Sequence, residues 1–505
     1  MKVEIHGRPI LLFLLILLIG HLSKAQGLST DGKLSFDQAM ELTLRNSHII
    51  KQAGFLQKEK DQAALAAKSL YSPTVGLTAT YMAMSKDISL DLTEVRDAIT
   101  PLYSTLSNYG HFSGVPGLTE DQSTAAVRSQ LATGLKTVQN GDWDPIIQKK
   151  MFGVVSATAL WPIYTGGKIK AANQAAVIGQ KEAGEVLRQK SGEVMSELAQ
   201  RYFGLCLAKQ AVNVRQDAFD GMEKHLQDAL KMEKQGLIAH ADVLNAQLYH
   251  AQAERELSKA RHTAFILNQA LLNTMATNQD TDIDPVTRLF YLDSIEPVVY
   301  FKELALKNNP LLLQVASKKQ LTEQGYNIEK SEMYPTIAMQ GLYNVVNQDL
   351  SPYTPTWLVG VGAKWTLFDG SSRNRKMKVA AFKTDQVKEA EQKGQSDVVT
   401  ALDKLYSELK MYKEQLSELT TAKSFAEEYL RVREKAFTEE MTNATDVVDA
   451  RLALAKVRIE RLEAMYGYDL TLAHILEYSG IPEQYPDYQK KTGVVTETYK
   501  ETNNK

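Results

Sequence analysis

The 505-residue sequence has little cysteine, little proline and no surplus of charge of either sign. Its single cysteine, Cys206, excludes a disulfide scaffold and a four-cysteine zinc site. Lys and Arg number 58 against 60 Asp and Glu, a net charge of −2, and this balance argues against a nucleic-acid-binding protein. The 14 prolines and 29 glycines are sparse, which suits long uninterrupted helices.

Only one long apolar run exists, and it lies at the N-terminus. A basic start precedes the run 10–20, and Ser23 and Ala25 then supply small residues. This pattern predicts a secretory signal peptide over residues 1–25, with an uncleaved anchor helix as the alternative. The mature chain is expected to be exported, without a transmembrane helix, into a compartment where spare cysteines are a hazard.

The chain repeats itself. Residues 41–81 match residues 303–343 at an offset of 262, with eleven identities in forty-one gap-free positions. Later positions match at an offset of 204, as in Trp161 with Trp365, so the first copy carries 58 extra residues. Duplication predicts three segments after the signal peptide: a first repeat at 26–280, a second at 281–480, and a polar tail at 481–505.

Each repeat is predicted to open with helices that a proline ends, at Pro73 and Pro335. Beyond each proline, apolar residues alternate with small or polar ones, as in the strands of a membrane barrel. A soluble antiparallel sheet packed on a helix would alternate in the same way and is the alternative. The predicted strands are 74–81, 155–163, 336–343 and 357–367. The aromatic residues near their ends, which resemble an interfacial girdle, include Trp161, Trp357, Trp365, Tyr81 and Tyr343.

Beyond the strand–helix turns at Gly166 and Gly370, the apolar period becomes helical. Leu402, Leu409 and Leu416 belong to a seam with the spacing of a coiled coil. We predict helices from 168 to 235 and from 372 to 438, each about 100 Å long at ~1.5 Å per residue. A turn and a return helix follow each one.

The two hairpin turns are predicted near 236–241 and 439–445. Gly236 is expected to take the left-handed conformation that ends the first long helix. The second copy has Glu440 at that position, so Asn443 is the expected left-handed residue there.

Four strands cannot close a barrel, and an open sheet edge in hydrocarbon leaves backbone groups unpaired. Three protomers would supply twelve strands, enough to enclose water. The predicted fold class is therefore an α+β membrane protein: a homotrimeric 12-stranded transmembrane β-barrel, continued by a long α-helical coiled-coil barrel.

At this point the sequence resembles the TolC-like outer-membrane efflux proteins. The resemblance lies in Tyr334-Pro335, Phe368-Asp369-Gly370 and the segments 236–246 and 446–450, and it covers about 34–480. It implies a passive export duct, gated at its periplasmic end, in the outer membrane of a Gram-negative bacterium, with a long periplasmic portion. It also implies docking of a periplasmic adaptor and an inner-membrane pump, with no nucleic acid among the partners.

The resemblance also implies site residues at the two turns. Asp446 and Asp449 fall on the positions that narrow the periplasmic aperture, and three copies would place six carboxylates there. The alternative makes Asp446 a helix N-cap and Asp449 a first-turn acid. Phe437 lacks the hydroxyl of the family's aromatic residue, and Thr442 replaces its basic residue, which puts a closing salt bridge in doubt. The expected adaptor and pump contacts are Gly236, Leu237, Asp242, Leu244 and Asn443.

An enzyme is not expected, because phosphate-binding and nucleophile-elbow motifs are absent from the sequence. No cofactor or metal is expected either, since the helical histidines lack ligand spacing. The alternative functions are a periplasmic adaptor and a coiled-coil scaffold of an envelope complex. Residues 82–150 are expected to form a long extracellular loop, and the tail 481–505 to run loosely.

Overall fold

The structure is a computed structural model. It describes residues 32–277, 281–439, 441–442 and 444–497. The predicted signal peptide and the last residues of the tail lie outside the described residues.

The described chain contains long helices and short strands. The helices are α1 Phe36–Asn46, α2 His48–Lys68, α3 Thr93–Tyr109, α4 Glu120–Asn140, α5 Lys168–Lys234, α6 His240–Thr274, α7 Val298–Asn308, α8 Pro310–Ser331, α9 Ser372–Thr438, α10 Ala444–Tyr478 and α11 Tyr485–Tyr488. The strands are β1 Lys33–Leu34, β2 Thr74–Ala83, β3 Ile88–Ser89, β4 Ile146–Gln148, β5 Met151–Tyr164, β6 Asp284–Pro285, β7 Phe290–Leu292, β8 Thr336–Gln348, β9 Trp357–Lys364 and β10 Val494–Thr496.

Two compact units divide these elements. We describe each unit by itself. The strand unit contains residues 65–174 and 324–380, and the helical unit contains the described residues of 1–64, 175–323 and 381–505.

The strand unit is built on one four-stranded antiparallel sheet with the order β2-β5-β8-β9. The four strands predicted from the alternating pattern are all present. Prolines precede β2 and β8 because a proline ends the helix before it and starts an extended segment. In this sheet order β2 and β9 are the two edge strands.

The segment between β2 and β5, predicted as a loop over 82–150, is folded. β3 and β4 pair with each other, and α3 and α4 form a helical hairpin beyond them. Thr119 begins α4 with a capping box to Gln122, which explains where that helix starts. Lys149 Nζ lies 2.6 Å from Asp349 Oδ1, so the base of this insertion is tied to the β8–β9 loop.

The helical unit has a core rich in aromatic side chains. Phe36, at the start of α1, packs against Phe203 of α5 with 5.3 Å between ring centroids, and against Tyr485 at 5.2 Å. The predicted seam of α9 is confirmed, because Leu402, Leu409 and Leu416 are all buried. Two short strand pairs, β1 with β6 and β7 with β10, complete this unit.

The described part of the C-terminal tail is not loose, which corrects the sequence prediction. Tyr485 and Tyr488 are buried, and β10 pairs antiparallel with β7. The Glu497 carboxylate makes an ion pair with Arg461 of α10 and another with Lys423 of α9. The polar composition of the tail therefore did not predict that Tyr485 and Tyr488 are buried or that Glu497 makes a buried ion pair with Arg461.

The element bounds repeat along the chain. α1 and α7 both have 11 residues and begin at positions 262 apart. α5 and α9 both have 67 residues, and α6 and α10 both have 35, with starts 204 apart in each case. The offsets read from the sequence are thus the offsets of whole elements.

Candidate functional site

One face of the sheet is apolar in register across all four strands. Val75 of β2 lies opposite Ala159, and Leu77 lies opposite Ala157. Ala157 lies opposite Tyr343 of β8, which in turn lies opposite Trp357 of β9. Side chains at alternate positions share a face, so these pairs extend one apolar surface from edge to edge.

The apolar face is exposed in the isolated chain. The side chains at its two edges are well over half exposed: Val75 at 76%, Leu77 at 74%, Val359 at 61% and Val361 at 62%. The opposite face carries threonine, glycine, serine and asparagine together with apolar residues such as Leu160, Leu342 and Leu358, and there Ser156 Oγ donates to Asn344 Oδ1 at 2.8 Å. An uncovered apolar surface of this extent is typical of a protein face that meets lipid or a partner.

Aromatic residues stand at both ends of this face. Trp357 and Trp365 are eight positions apart. Gly153 and Trp161 of β5 are also eight positions apart, and Gly153 lies opposite Tyr81 of β2. Eight residues of strand span about 26 Å, close to the ~25 Å height of an outer-membrane apolar band. The structure therefore places the five predicted girdle residues on one face, near its two ends.

The strand–helix turns are held alike in both repeats. Trp161 Nε1 donates to the Tyr71 carbonyl at 2.9 Å, and Trp365 Nε1 donates to the Met333 carbonyl at 3.1 Å. Gly166 and Gly370 both have positive φ, 62° and 66°, as a left-handed turn residue requires. In both repeats a tryptophan of the sheet thus bonds to the carbonyl two residues before the proline, Pro73 or Pro335.

The first hairpin turn has the expected helix ending. Gly236 has a φ of 77°, and the Leu237 N–H donates to the Met232 carbonyl at 2.9 Å, as in a Schellman motif. Asp242 Oδ2 accepts from the Ala239 N–H at 3.1 Å, so this carboxylate caps α6. Leu237 and Leu244 are each 52% exposed, which leaves apolar side chains on the surface of this turn.

The second hairpin turn contains a charge pair that the sequence reading missed. Arg433 of α9 places Nη1 3.3 Å from Asp446 Oδ2, and the Thr442 hydroxyl donates to the same carboxylate oxygen. A basic residue therefore reaches Asp446 even though Thr442 replaces the one expected from the resemblance. The two residues are 13 positions apart, on either side of the turn, so the sequence alone carried no signal for this pair.

Asp446 is the third residue of α10, which begins at Ala444, so the alternative that made it the N-cap is wrong. Asp449 lies one turn further on and is exposed. Asn443, predicted to take the left-handed conformation, lies outside the described residues. Asn245 Nδ2 donates to Thr445 Oγ1 at 3.3 Å and joins the first turns of α6 and α10.

Phe437 packs inward at this turn. Its ring lies 5.3 Å from the imidazole of His225 on α5. Burial lowers the pKa of His225 below its ordinary value, and the nearby charge of Arg451 lowers it further. Arg451 makes an ion pair with Glu434 and lies where a side chain at Gly221 would otherwise stand. Phe437 therefore packs between α9 and α5, one turn of α9 beyond Arg433, which pairs with Asp446.

Among the described residues, no helix combines the length and the apolar character needed to cross a membrane. Within the same residues, His, Cys, Asp and Glu side chains form no group suited to hold a metal ion.

Comparison with known protein families shows which family the chain belongs to. The family model described as outer membrane efflux protein matches residues 148–277 and 302–480, more than half of the chain. The chain belongs to the outer membrane efflux protein family. Each matched segment contains one long helical hairpin, and the resemblance predicted from the sequence motifs is confirmed.

Solved structures with the same fold include outer-membrane channels. The Campylobacter jejuni CmeC outer membrane channel is 13% identical, with 90% of this chain and 89% of that chain covered and a TM-score of 0.67. The Vibrio cholerae outer membrane protein VceC is 14% identical, covering 88% and 96%, with a TM-score of 0.64. The open state of the Neisseria gonorrhoeae MtrE outer membrane channel is 11% identical, covering 88% and 89%, with a TM-score of 0.66.

No curated protein matches the sequence. Membership of the family makes this chain an outer-membrane efflux protein with an α+β fold, and it confirms the predicted outer-membrane location.

Proposed function

We propose that three copies of the chain form a 12-stranded transmembrane β-barrel, continued by a coiled-coil barrel of the long helices. The assembly is a passive duct that exports substrates across the outer membrane of a Gram-negative bacterium and performs no catalysis. The observation that carries this proposal is the exposed apolar face, in register across a four-stranded sheet whose edges are β2 and β9.

Closing the sheet into a barrel accounts for the two unpaired edge strands, β2 and β9. In hydrocarbon an unpaired strand edge leaves N–H and C=O groups without partners, each at a cost of several kcal/mol. Pairing β9 of one copy with β2 of the next removes both edges and turns the apolar faces toward lipid. The faces that carry the Ser156–Asn344 hydrogen bond then line the lumen.

The internal repeat supplies the register of the pairing between copies. Within one chain, β5 of the first repeat pairs with β8 of the second, and Ala157 lies opposite Tyr343. In the repeat offsets Ala157 corresponds to Val361, and Tyr343 corresponds to Tyr81. Val361 of one copy should therefore lie opposite Tyr81 of the next.

A disulfide tests this register. We expect the double variant Tyr81→Cys with Val361→Cys to form covalent trimers on oxidation, because Cα atoms of directly opposed antiparallel residues lie about 4.5–5.5 Å apart. Burial raises the pKa of the native Cys206 thiol to about 12, so that thiol does not compete. The measurement is a non-reducing gel of oxidised outer membranes.

The matched control is Val75→Cys with Val361→Cys. Val75 lies on the same face as Tyr81 but six residues away, about 20 Å along the strand at ~3.3 Å per residue. This pair should stay monomeric on the gel. Monomers with the Tyr81–Val361 pair would contradict this register, and a native protein that is a single folded subunit would overturn the barrel and return the adaptor and scaffold alternatives.

The two hairpin turns are proposed as the periplasmic end of the duct. Asp446 and Asp449 would place carboxylates around the aperture, which attracts cations and repels anions. The exposed Leu237 and Leu244 would contact a periplasmic adaptor and, through it, an inner-membrane pump. Gly236, with its positive φ, and Asp242, which caps the start of α6, shape the same turn and are proposed to lie in this contact surface.

We further propose the segment organisation predicted from the sequence: signal peptide 1–25, first repeat 26–280 and second repeat 281–480. The equal lengths and constant offsets of the paired helices support duplication.

A further inference from the structure

The two aspartates of the second hairpin turn have different surroundings. Asp446 and Asp449 are three residues apart on α10, so both lie on one side of the helix. Asp446 Oδ2 accepts from the Thr442 hydroxyl and lies 3.3 Å from Arg433 Nη1. Both charged side chains are about one third exposed, 36% for Arg433 and 35% for Asp446.

Arg433 is held in place from a second side. Its guanidinium carbon lies 5.1 Å from the centroid of the Tyr429 ring, within the range of a cation–π contact. Tyr429 precedes it by one turn of α9. The cation is therefore oriented by its own helix before it meets the carboxylate of the next helix.

Asp449 has no such partner within the described part of the chain. Its side chain is exposed, and neither an ion pair nor a hydrogen bond to a described residue involves it. A paired carboxylate and guanidinium act at a distance as a weak dipole, whereas an unpaired carboxylate acts as a full charge.

We propose that Asp446 is committed to an internal ion pair with Arg433, and that Asp449 alone supplies the cation-attracting charge of the aperture. This inference rests on the proposed position of the turn at the mouth of the duct. Three copies would then present three uncompensated carboxylates rather than six. Arg433 becomes a specificity-determining residue, because it sets how many negative charges the mouth carries.

Conductance in planar bilayers tests the inference. The probe is hexaamminecobalt(III), a trivalent cation, added to the side of the helical turns, and the readout is the concentration that halves the single-channel current. We expect Asp449→Asn to raise this concentration about tenfold or more, because block by a trivalent ion depends steeply on ring charge. We expect Asp446→Asn to raise it as well, because the uncompensated Arg433 guanidinium then repels the trivalent cation, so the two roles are separated by removing both partners of the pair.

Arg433→Gln provides the decisive variant, because it releases Asp446 instead of removing it. We expect block to become stronger than in the wild type, and the double variant Arg433→Gln with Asp446→Asn to return it close to the wild-type value. Thr442→Ala removes a neutral hydroxyl and keeps the ion pair, so its block should stay close to the wild-type value. Glu428→Gln, on an exposed pair with Arg431 of α9, is the charge-matched control.

The outcomes separate this inference from the proposed function. An Arg433→Gln channel with unchanged block, or a double variant blocked as weakly as Asp449→Asn, would overturn the division of roles and leave the aperture intact. Channels whose block is unchanged in every variant would remove both aspartates from the aperture. Absence of any conductance in the wild-type protein would contradict the duct itself.

Discussion

Asp469 of α10 is a carboxyl group with almost no access to solvent. Its Oδ2 accepts from the Phe290 N–H at 3.2 Å, while among the described residues Oδ1 has no hydrogen-bond partner. Burial raises the pKa of Asp469 well above its ordinary value of 3.8. The side chain therefore retains its proton at pH values where an exposed aspartate is ionised.

This burial predicts a pH-dependent stability. Because the folded pKa lies above the unfolded one, the folded state binds the extra proton, and stability falls as pH rises from about 4 toward the folded pKa. Asp469→Asn removes the titration and should raise the midpoint of thermal unfolding at pH 8, with little change at pH 4. The measurement is circular dichroism of the detergent-solubilised protein across this range.

The exposed Asp487 gives the control for Asp469. Asp487→Asn should shift the unfolding midpoint equally little at both pH values. If Asp469→Asn has the same small effect at pH 8 as at pH 4, the buried carboxyl does not titrate as we infer.

The C-terminal segment carries the next prediction, at the scale of an element. Glu497 follows β10 and pairs with Arg461, and these side chains are only 10% and 7% exposed. Arg461 also donates to the Leu416 carbonyl at 2.9 Å, which ties α10, α9 and the C-terminal segment together. Glu497→Gln should destabilise the fold by about 3 kcal/mol, because it leaves a buried guanidinium without its counter-charge.

An exposed pair in the same segment provides the comparison. Lys490 and Asp37 lie 3.1 Å apart, but their side chains are 65% and 49% exposed. Lys490→Gln should cost less than about 1 kcal/mol, the usual range of surface pairs. Chemical denaturation of both variants measures the difference, and equal losses would show that the Glu497 pair is solvated in solution.

Elements with a strong period were predictable from the sequence, and elements without one were not. The long helices lack proline and repeat every three and four residues, and β2 and β8 each follow a proline and alternate cleanly. The helical hairpin of the insertion was missed, since α3 contains Pro101 in its interior, where proline normally breaks a helix. The tail was wrongly predicted to be loose, because the sequence does not show that Tyr485 and Tyr488 pack into the core of the helical unit.

The charge pair at the second turn shows a different limit of sequence reading. Arg433 and Asp446 are separated by a helix end, a turn and a helix start, so no local spacing rule joins them. The resemblance to the family predicted that Asp446 and Asp449 lie at the aperture. Only the geometry of the hairpin shows that Asp446 makes an ion pair with Arg433. Residue roles at such turns depend on which side chains meet across the hairpin.

At the scale of the whole molecule, the proposal depends on which side of the sheet meets lipid. Alternation along β9 puts Val359 on the apolar face, 61% exposed, and Gly360 on the opposite face. In a single folded chain both faces meet solvent, and a lysine would be tolerated at either position. In a closed barrel only the second face remains in water.

We therefore predict opposite outcomes for two neighbouring substitutions. Val359→Lys should prevent assembly in the outer membrane, since a lysine on the lipid face costs about 2–4 kcal/mol at the bilayer midplane, and three copies multiply that cost. Gly360→Lys should assemble and lower the current of cations through the pore, because its charge faces the lumen. Membrane fractionation with gel analysis of the trimer measures the first, and planar-bilayer conductance measures the second. If both variants assemble equally well, the apolar face is not embedded in lipid, and the sheet must be covered by another part of the envelope.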